Sequence, residues 1–148
     1  MKTLNKTDGD KMTAKEYLLR YRIAYREAKD IELRMAQLRL KYSTPAGIEY
    51  SDMPKAHDSE HDLSDYVAKM DELTDWLIAK YTRCMGIEAD ILERLDMMEK
   101  QEEREVLRLR YVDGKTWEEI ARHIGMVERN VYYIHGRALL NFPVPADA

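Results

Sequence analysis

From Thr13 onward, apolar residues recur at alternating steps of four and three: Tyr17, Tyr21, Ala24, Ala28, Ile31, Met35, Leu38 and Tyr42. That spacing keeps one stripe on one face of a helix, and its repetition is the heptad seam of a helix that packs lengthwise on a partner. Thr13 and Glu16 stand at the T-x-x-E spacing of a capping box, which starts the helix. Arg20, Arg22, Arg26, Lys29, Arg34, Arg39 and Lys41 occupy the other positions and make its flanks basic. A second, less regular seam runs through Leu63, Tyr66, Met70, Leu73, Leu77, Tyr81, Cys84, Ile87, Ile91, Leu95 and Met98. Strict alternation would put Lys80 in this seam, so its neighbour Tyr81 is expected to take the inward place. Gly86 lowers helix stability there by roughly 1 kcal/mol relative to Ala and marks a place for a bend or break. Trp76 and Tyr25 lie beside the seams and widen the apolar surface for a third element.

Between the seams, residues 43–62 hold Pro45, Gly47, Pro54 and many polar side chains; the two prolines remove backbone donors, so the segment reads as a loop. Two stripes of similar length joined by a loop bury each other most simply as an antiparallel helical hairpin. Whether the hairpin closes on itself or pairs with a second copy stays open, because a seam containing Ala24, Ala28 and Cys84 is lean in places.

After residue 99 the long stripe gives way to three short helices. The charged run QEERE reads as the solvated start of the first, in which Val106, Leu107 and either Leu109 or Tyr111 turn inward, and Asp113-Gly114 is the turn that ends it. Thr116 caps the second with Glu119 completing another capping box, and Trp117, Ile120, Ala121 and Ile124 form its apolar face. Ala121, Gly125, Val131 and Ile134 then stand at helix-turn-helix spacing: a small residue where the helices cross, a glycine free to adopt the left-handed conformation, and branched residues holding the next helix. The fold expected is all-α: a flexible N-terminus over 1–12, a long coiled-coil-like hairpin over 13–99 with its loop at 43–62, a three-helix helix-turn-helix module over 100–142, and a flexible tail over 143–148.

Composition narrows the chemistry. The 148 residues are 45% hydrophobic, too apolar for a wholly disordered chain, and the single Cys84 forms no intramolecular disulfide. A reducing cytoplasm fits that cysteine use. No apolar run approaches the roughly 20 residues that span a bilayer, and the first residues lack the apolar middle of a signal peptide, so a soluble, unexported protein is expected. With six glycines and neither a GxGxxG nor a GxxxxGK[ST] motif, no nucleotide loop is expected. His57 and His61 sit four apart among acids but read as solvated loop, so no metal and no cofactor is expected, and no catalytic arrangement can be argued. The net charge of −4 is uneven: residues 1–42 carry +5, residues 43–99 carry −9 and residues 100–141 carry +1. The two long helices are thus electrostatically matched.

With Val131, Ile134, Ala138 and Leu139 turned inward, the last helix presents Arg129, Tyr132, Tyr133 and Gly136 to solvent. In a helix-turn-helix this face enters the major groove of double-stranded DNA, where Arg bonds guanine bidentately and an aromatic edge meets a thymine methyl or a phosphate. Glu128 and Asn130 reach base edges as well, Glu accepting from cytosine and Asn pairing with adenine. Lys115, Thr116, Arg122, His123, His135 and Arg137 are the candidates for phosphates, which position the protein without reading sequence.

The run EREVLRLRYVDGKTWEEIARHIGMVERNVYYIHGRALLNF resembles the fourth, promoter-reading region of sigma factors. It is also similar to small phage-encoded sigma-like regulators of the ArpU and RinA kind, through the YSDMP loop (Tyr50 to Pro54), Arg110-Tyr111, Gly114, Trp117, Ile120-Ala121 and His135-Gly136-Arg137-Ala138-Leu139. The resemblance implies a phage or prophage transcription regulator that activates late genes with host RNA polymerase, with Glu128, Arg129, Tyr132 and Tyr133 at the base-reading positions. Val127 stands where that family usually has Ser, and the tyrosine pair replaces an Arg-Gln type pair, so no sequence preference transfers. The hairpin also lacks the exposed aromatics of the sigma region that melts promoters, which points to a regulator rather than a complete sigma factor. A homodimer through the hairpin fits this reading. Two others stay open: a small-terminase-like packaging protein, and a polymerase-binding adaptor that does not read DNA.

Overall fold

A computed structural model describes residues 11–43 and 59–148, with side chains placed from Asp62 onward in the second stretch. Among the described residues there are helices and no strand: α1 (Ala14–Ser43), α2 (Ser59–Asp96), α3 (Gln101–Leu107), α4 (Trp117–Ile124) and α5 (Glu128–Asn141), with α3 running on into a widened π turn, Arg108–Val112. Residues 59–62, read from sequence as loop, are helix. The rest of that loop, with His57 and the YSDMP motif, lies outside the described residues. None of the described helices is long and apolar enough to cross a membrane, and no three His, Cys, Asp or Glu among the described residues gather to hold a metal.

The capping box forms as the spacing requires: Glu16 Oε2 accepts from the Thr13 backbone N–H at 2.8 Å, and Thr13 Oγ1 accepts from the Glu16 N–H at 3.3 Å. The chain then divides into two compact units, residues 24–85 and residues 11–23 with 86–148.

In the first unit α1 and α2 run antiparallel. Tyr42 meets Tyr66 at 4.8 Å between ring centroids, Tyr81 donates to Glu32 Oε1 at 2.5 Å, and Lys80 pairs with Glu27 at 2.7 Å, so partners rise on one helix as they fall on the other. Ala24, Ala28, Ile31, Met35 and Cys84 are buried. Lys80 and Tyr81 share the inter-helical face, both half-buried, because each reaches a carboxylate of α1. Leu63, read as the first seam residue, is exposed, and Trp76 is half out in solvent. A two-helix layer covers only one stripe of each helix, so Leu33, Leu40, Val67 and Ile78 also remain exposed.

In the second unit the core is continuous. Val106, Leu109, Ile120, Ala121, Val131 and Ile134 form one buried cluster, with Trp117, Ile124 and Met126 packed against it, and α3 and α4 both lie on α5. Leu109 and Tyr111 are both buried, where the sequence left one or the other. The π turn, closed by the Asp113 N–H on the Arg108 carbonyl at 3.0 Å, leaves Arg108 exposed but is covered on more than one of its other sides. Leu18, off the heptad seam, is fully buried for the same reason. Gly86 leaves α2 unbroken. The tail is tied at its start: Phe142 is buried and packs 5.8 Å from Tyr17, and Arg94 Nη1 donates to the Pro143 carbonyl at 2.9 Å. Glu103, inside the run read as solvated, is 2% exposed.

Candidate nucleic-acid interface

The geometry of α4 and α5 follows from three local decisions in the sequence. Thr116 opens α4 with a complete capping box, its N–H donating to Glu119 Oε2 at 2.7 Å and its Oγ1 accepting from the Glu119 N–H at 3.2 Å. Gly125 closes α4 at φ 75°, a left-handed conformation that only glycine adopts at little cost, and the N–H groups of Gly125 and Met126 both donate to the Ala121 carbonyl. The redirected chain enters α5 through Val127, which offers no side-chain cap. Val131, Ile134 and Ala138 then turn inward, and Leu139 is half-buried.

That leaves one face of α5 to solvent. Glu128, Arg129, Asn130, Tyr132, Tyr133 and Gly136 are all exposed, Tyr133 at 74%. The two tyrosines differ in their support. Tyr132 leans on Trp117 of α4 with ring centroids 4.9 Å apart, whereas Tyr133 stands outward with the Arg137 guanidinium 5.9 Å from its ring. Trp117 is itself held: Arg110 lies over its ring at 4.3 Å, and His135 meets it edge-on at 4.7 Å. Tyr132 is therefore pre-oriented, and Arg129, with no ion pair among the described residues, is uncommitted.

The phosphate candidates do not form one set. Lys115 is exposed at the mouth of α4. The Thr116 hydroxyl is committed to its cap. Arg122 pairs with Glu118 at 2.8 Å, and His123 Nε2 lies 3.3 Å from Glu105, both on the solvent side of α4. Arg137 remains half-exposed near Tyr133. His135 departs from expectation: it is half-buried, stacked beside Tyr111, with its Nε2 2.8 Å from the Tyr111 hydroxyl. It serves as an internal strut of α5, not as an outward cation.

Burial, then the nearby Arg110 and Lys15, hold the His135 pKa below its ordinary 6.5. Below about pH 6.5 the unfolded chain therefore takes up a proton that the folded chain refuses, so stability falls as pH drops through that value and is unaffected above it. The expected outcome is a lower Tm at pH 5.5 than at pH 7.5 in excess of that of His135→Gln, which keeps a polar group for Tyr111 without titrating; thermal melts of the two proteins check it.

Sequence reasoning missed the supporting groups. Arg110 stood in a motif with no assigned role, and nothing in the local pattern ties Lys15 of α1 to His135 of α5.

Residues 89–141 match the family described as sigma-70, region 4. The match spans the last turns of α2 and all of α3, α4 and α5, so the helix-turn-helix built above is sigma region 4-like. It carries, at that coarse level, DNA binding in transcription regulation. No curated protein and no solved structure matches the chain.

Proposed function

We propose that this protein is a sequence-specific transcription regulator of phage or prophage origin, which uses its region 4-like segment to read promoter DNA of late genes together with host RNA polymerase. No catalysis is part of this reading. The observation that carries it is the exposed face of α5, where Arg129 is uncommitted and Tyr132 is braced by Trp117 on a helix whose other side is core. Arg129 supplies the bidentate fork for a guanine, the tyrosines supply apolar edges for thymine methyl groups, and Glu128 and Asn130 flank them at the start of the helix. Lys115, Arg122 and Arg137, all exposed, are the phosphate contacts in this reading. The exposed Leu33, Leu40, Val67 and Ile78 of the hairpin support a homodimer.

The test is selection of bound duplexes from a random pool at about 150 mM salt, where non-specific phosphate attraction is much weakened. An enriched motif is expected, palindromic for a dimer. Arg129→Ala should weaken binding to that motif by about 1–3 kcal/mol, roughly five- to 150-fold, and relax the preference at one position without unfolding the protein. Wild-type protein that enriches nothing would turn the reading toward a polymerase-binding adaptor, for which exposed Tyr133, Val127 and Leu140 would form the contact surface.

A further inference from the structure

The two-helix layer within residues 24–85 has two broad sides, and they differ. On one, Tyr81 donates to Glu32, which also pairs with Lys29. On the other, Arg34, Leu38, Lys69, Glu72 and Leu73 line an open groove. Along α2, alternating steps of four and three through Tyr81 place a row on the first side: Val67, Asp71, Thr74, Ile78, Tyr81 and Met85. It is a second heptad stripe beside the one that packs on α1. Val67, Ile78 and Met85 are 49%, 60% and 66% exposed. The same steps through Glu32 place Lys29, Ala36 and Arg39 on that side of α1, with Arg26 and the exposed Leu33 on the outer edge of the row. The side thus gathers exposed apolar residues of both helices and measures about 30 by 20 Å, or about 600 Å². Twice that area reaches the roughly 1,200 Å² at which specific interfaces begin.

Charge decides what covers it. On α1 the row and its edge carry Arg26, Lys29 and Arg39 against Glu32, whose carboxylate already serves Lys29 and Tyr81. On α2 they carry Asp71 and Asp75 and no cation. Arg26, Arg39, Asp71 and Asp75 are exposed and make no ion pair among the described residues. The side is therefore basic along one helix and acidic along the other, and its complement is itself. A second copy can lie on it with two-fold symmetry in two ways. With the axis across the helices, α1 falls on α1 of the partner subunit and sets cations on cations. With the axis along the helices, α1 falls on α2 of the partner subunit, neighbouring helices all run antiparallel, and opposite charges meet. This second arrangement also keeps every residue at its own height. Tyr42 meets Tyr66 within one hairpin, so Arg39 and Asp71, each a turn or so further into the helices, stand within about 3 Å of level.

We propose that this side of the hairpin packs on the same side of a second copy as a four-helix bundle, its two-fold axis running along the helices, with Arg39 opposite Asp71 of the partner subunit. The proposal names the surface of the homodimer read above and rests on that part of the reading. The apolar rows supply the area, and the charges choose the orientation because like charges set opposite each other repel.

The experiment is sedimentation equilibrium of the full chain over a range of concentrations, with a dimer expected for the wild type. Arg39→Glu alone and Asp71→Arg alone each turn two attractive pairs into two repulsive ones and should raise the dimer Kd by about tenfold or more. An equimolar mixture of these two variants should dimerise like the wild type, because one copy of each restores both pairs. Lys69→Glu, the same change of charge on the opposite side, should keep the wild-type Kd. Arg39→Glu with the wild-type Kd, no recovery in the mixture, or a control that weakens as much overturns the proposal while leaving the homodimer. A wild-type chain that stays monomeric at every concentration, or closes into a larger ring, overturns both. All three positions are exposed, so circular dichroism should show wild-type helix content. Should a reversal cost helix, Arg39→Gln and Asp71→Asn are read in the same way, each expected to raise the Kd about threefold.

Discussion

Ile120→Ala is expected to lower the stability of the compact unit that holds the helix-turn-helix by about 2–5 kcal/mol, the range for deleting a buried aliphatic side chain whose cavity closes only in part. Ile120 is fully buried at the centre of the cluster formed by Val106, Leu109, Ala121, Val131 and Ile134. It joins α4 to both α3 and α5, so no single neighbouring helix can move to fill the space without opening another contact. For a unit of this size each kcal/mol corresponds to a fall in Tm of roughly 4–8 °C, which differential scanning calorimetry reads directly. The same chemical change at Ile78, 60% exposed on the hairpin, should stay within about 0.5 kcal/mol. A small effect at Ile120 would mean that α4 is not packed as described, and the bracing of Tyr132 by Trp117 would go with it.

The hairpin and the helix-turn-helix were legible because local rules and tertiary packing agree there. Two capping boxes, at Thr13 and Thr116, and a left-handed Gly125 fix three chain directions by short-range chemistry alone. The seam from Tyr17 to Met35 is buried residue by residue, since one partner helix covers one stripe. Legibility ends where a segment is covered from more than one side. Leu18 lies off the seam yet is fully buried, and Leu109 and Tyr111 are both inside although a helix with one inner stripe would hide only one of them. A periodicity argument assumes a single buried face, and the start of α1 and the π turn have no such single face.

At the candidate interface, the exposed residues of α5 were readable from spacing, because Val131, Ile134 and Ala138 define the inner side and leave Arg129, Tyr132 and Tyr133 outside. His135 was misread for a physical reason: it falls on the flank of the helix, where polarity suggests solvent but Tyr111 and Trp117 supply a bond and a ring.

Glu103 is the case where charge pattern and structure disagree most, and it yields the second large effect. Its carboxylate is 2% exposed at the start of α3; Oε2 accepts from Asn141 Nδ2 at the end of α5 at 2.9 Å, while Oε1 makes no hydrogen bond. Lys100 Nζ at 3.7 Å and Arg137 Nε at 4.0 Å lie near Oε1, but both side chains are about half in water and hold it loosely. The Asn141 amide is thus the main direct support of a desolvated charge. Asn141→Leu leaves that charge buried without its donor and is expected to cost about 3 kcal/mol, at the upper end for hydrogen bonds to charged groups. Glu103→Gln keeps an acceptor of the same shape for Asn141 and should cost less than half of that. The decisive measurement is a double-mutant cycle by chemical denaturation: Glu103→Leu with Asn141→Leu should recover stability relative to Asn141→Leu alone, because removing both polar partners removes the unpaired charge. Additive losses would show instead that Glu103 is held by Lys100 and Arg137, and that the link between α3 and α5 is ionic rather than a hydrogen bond.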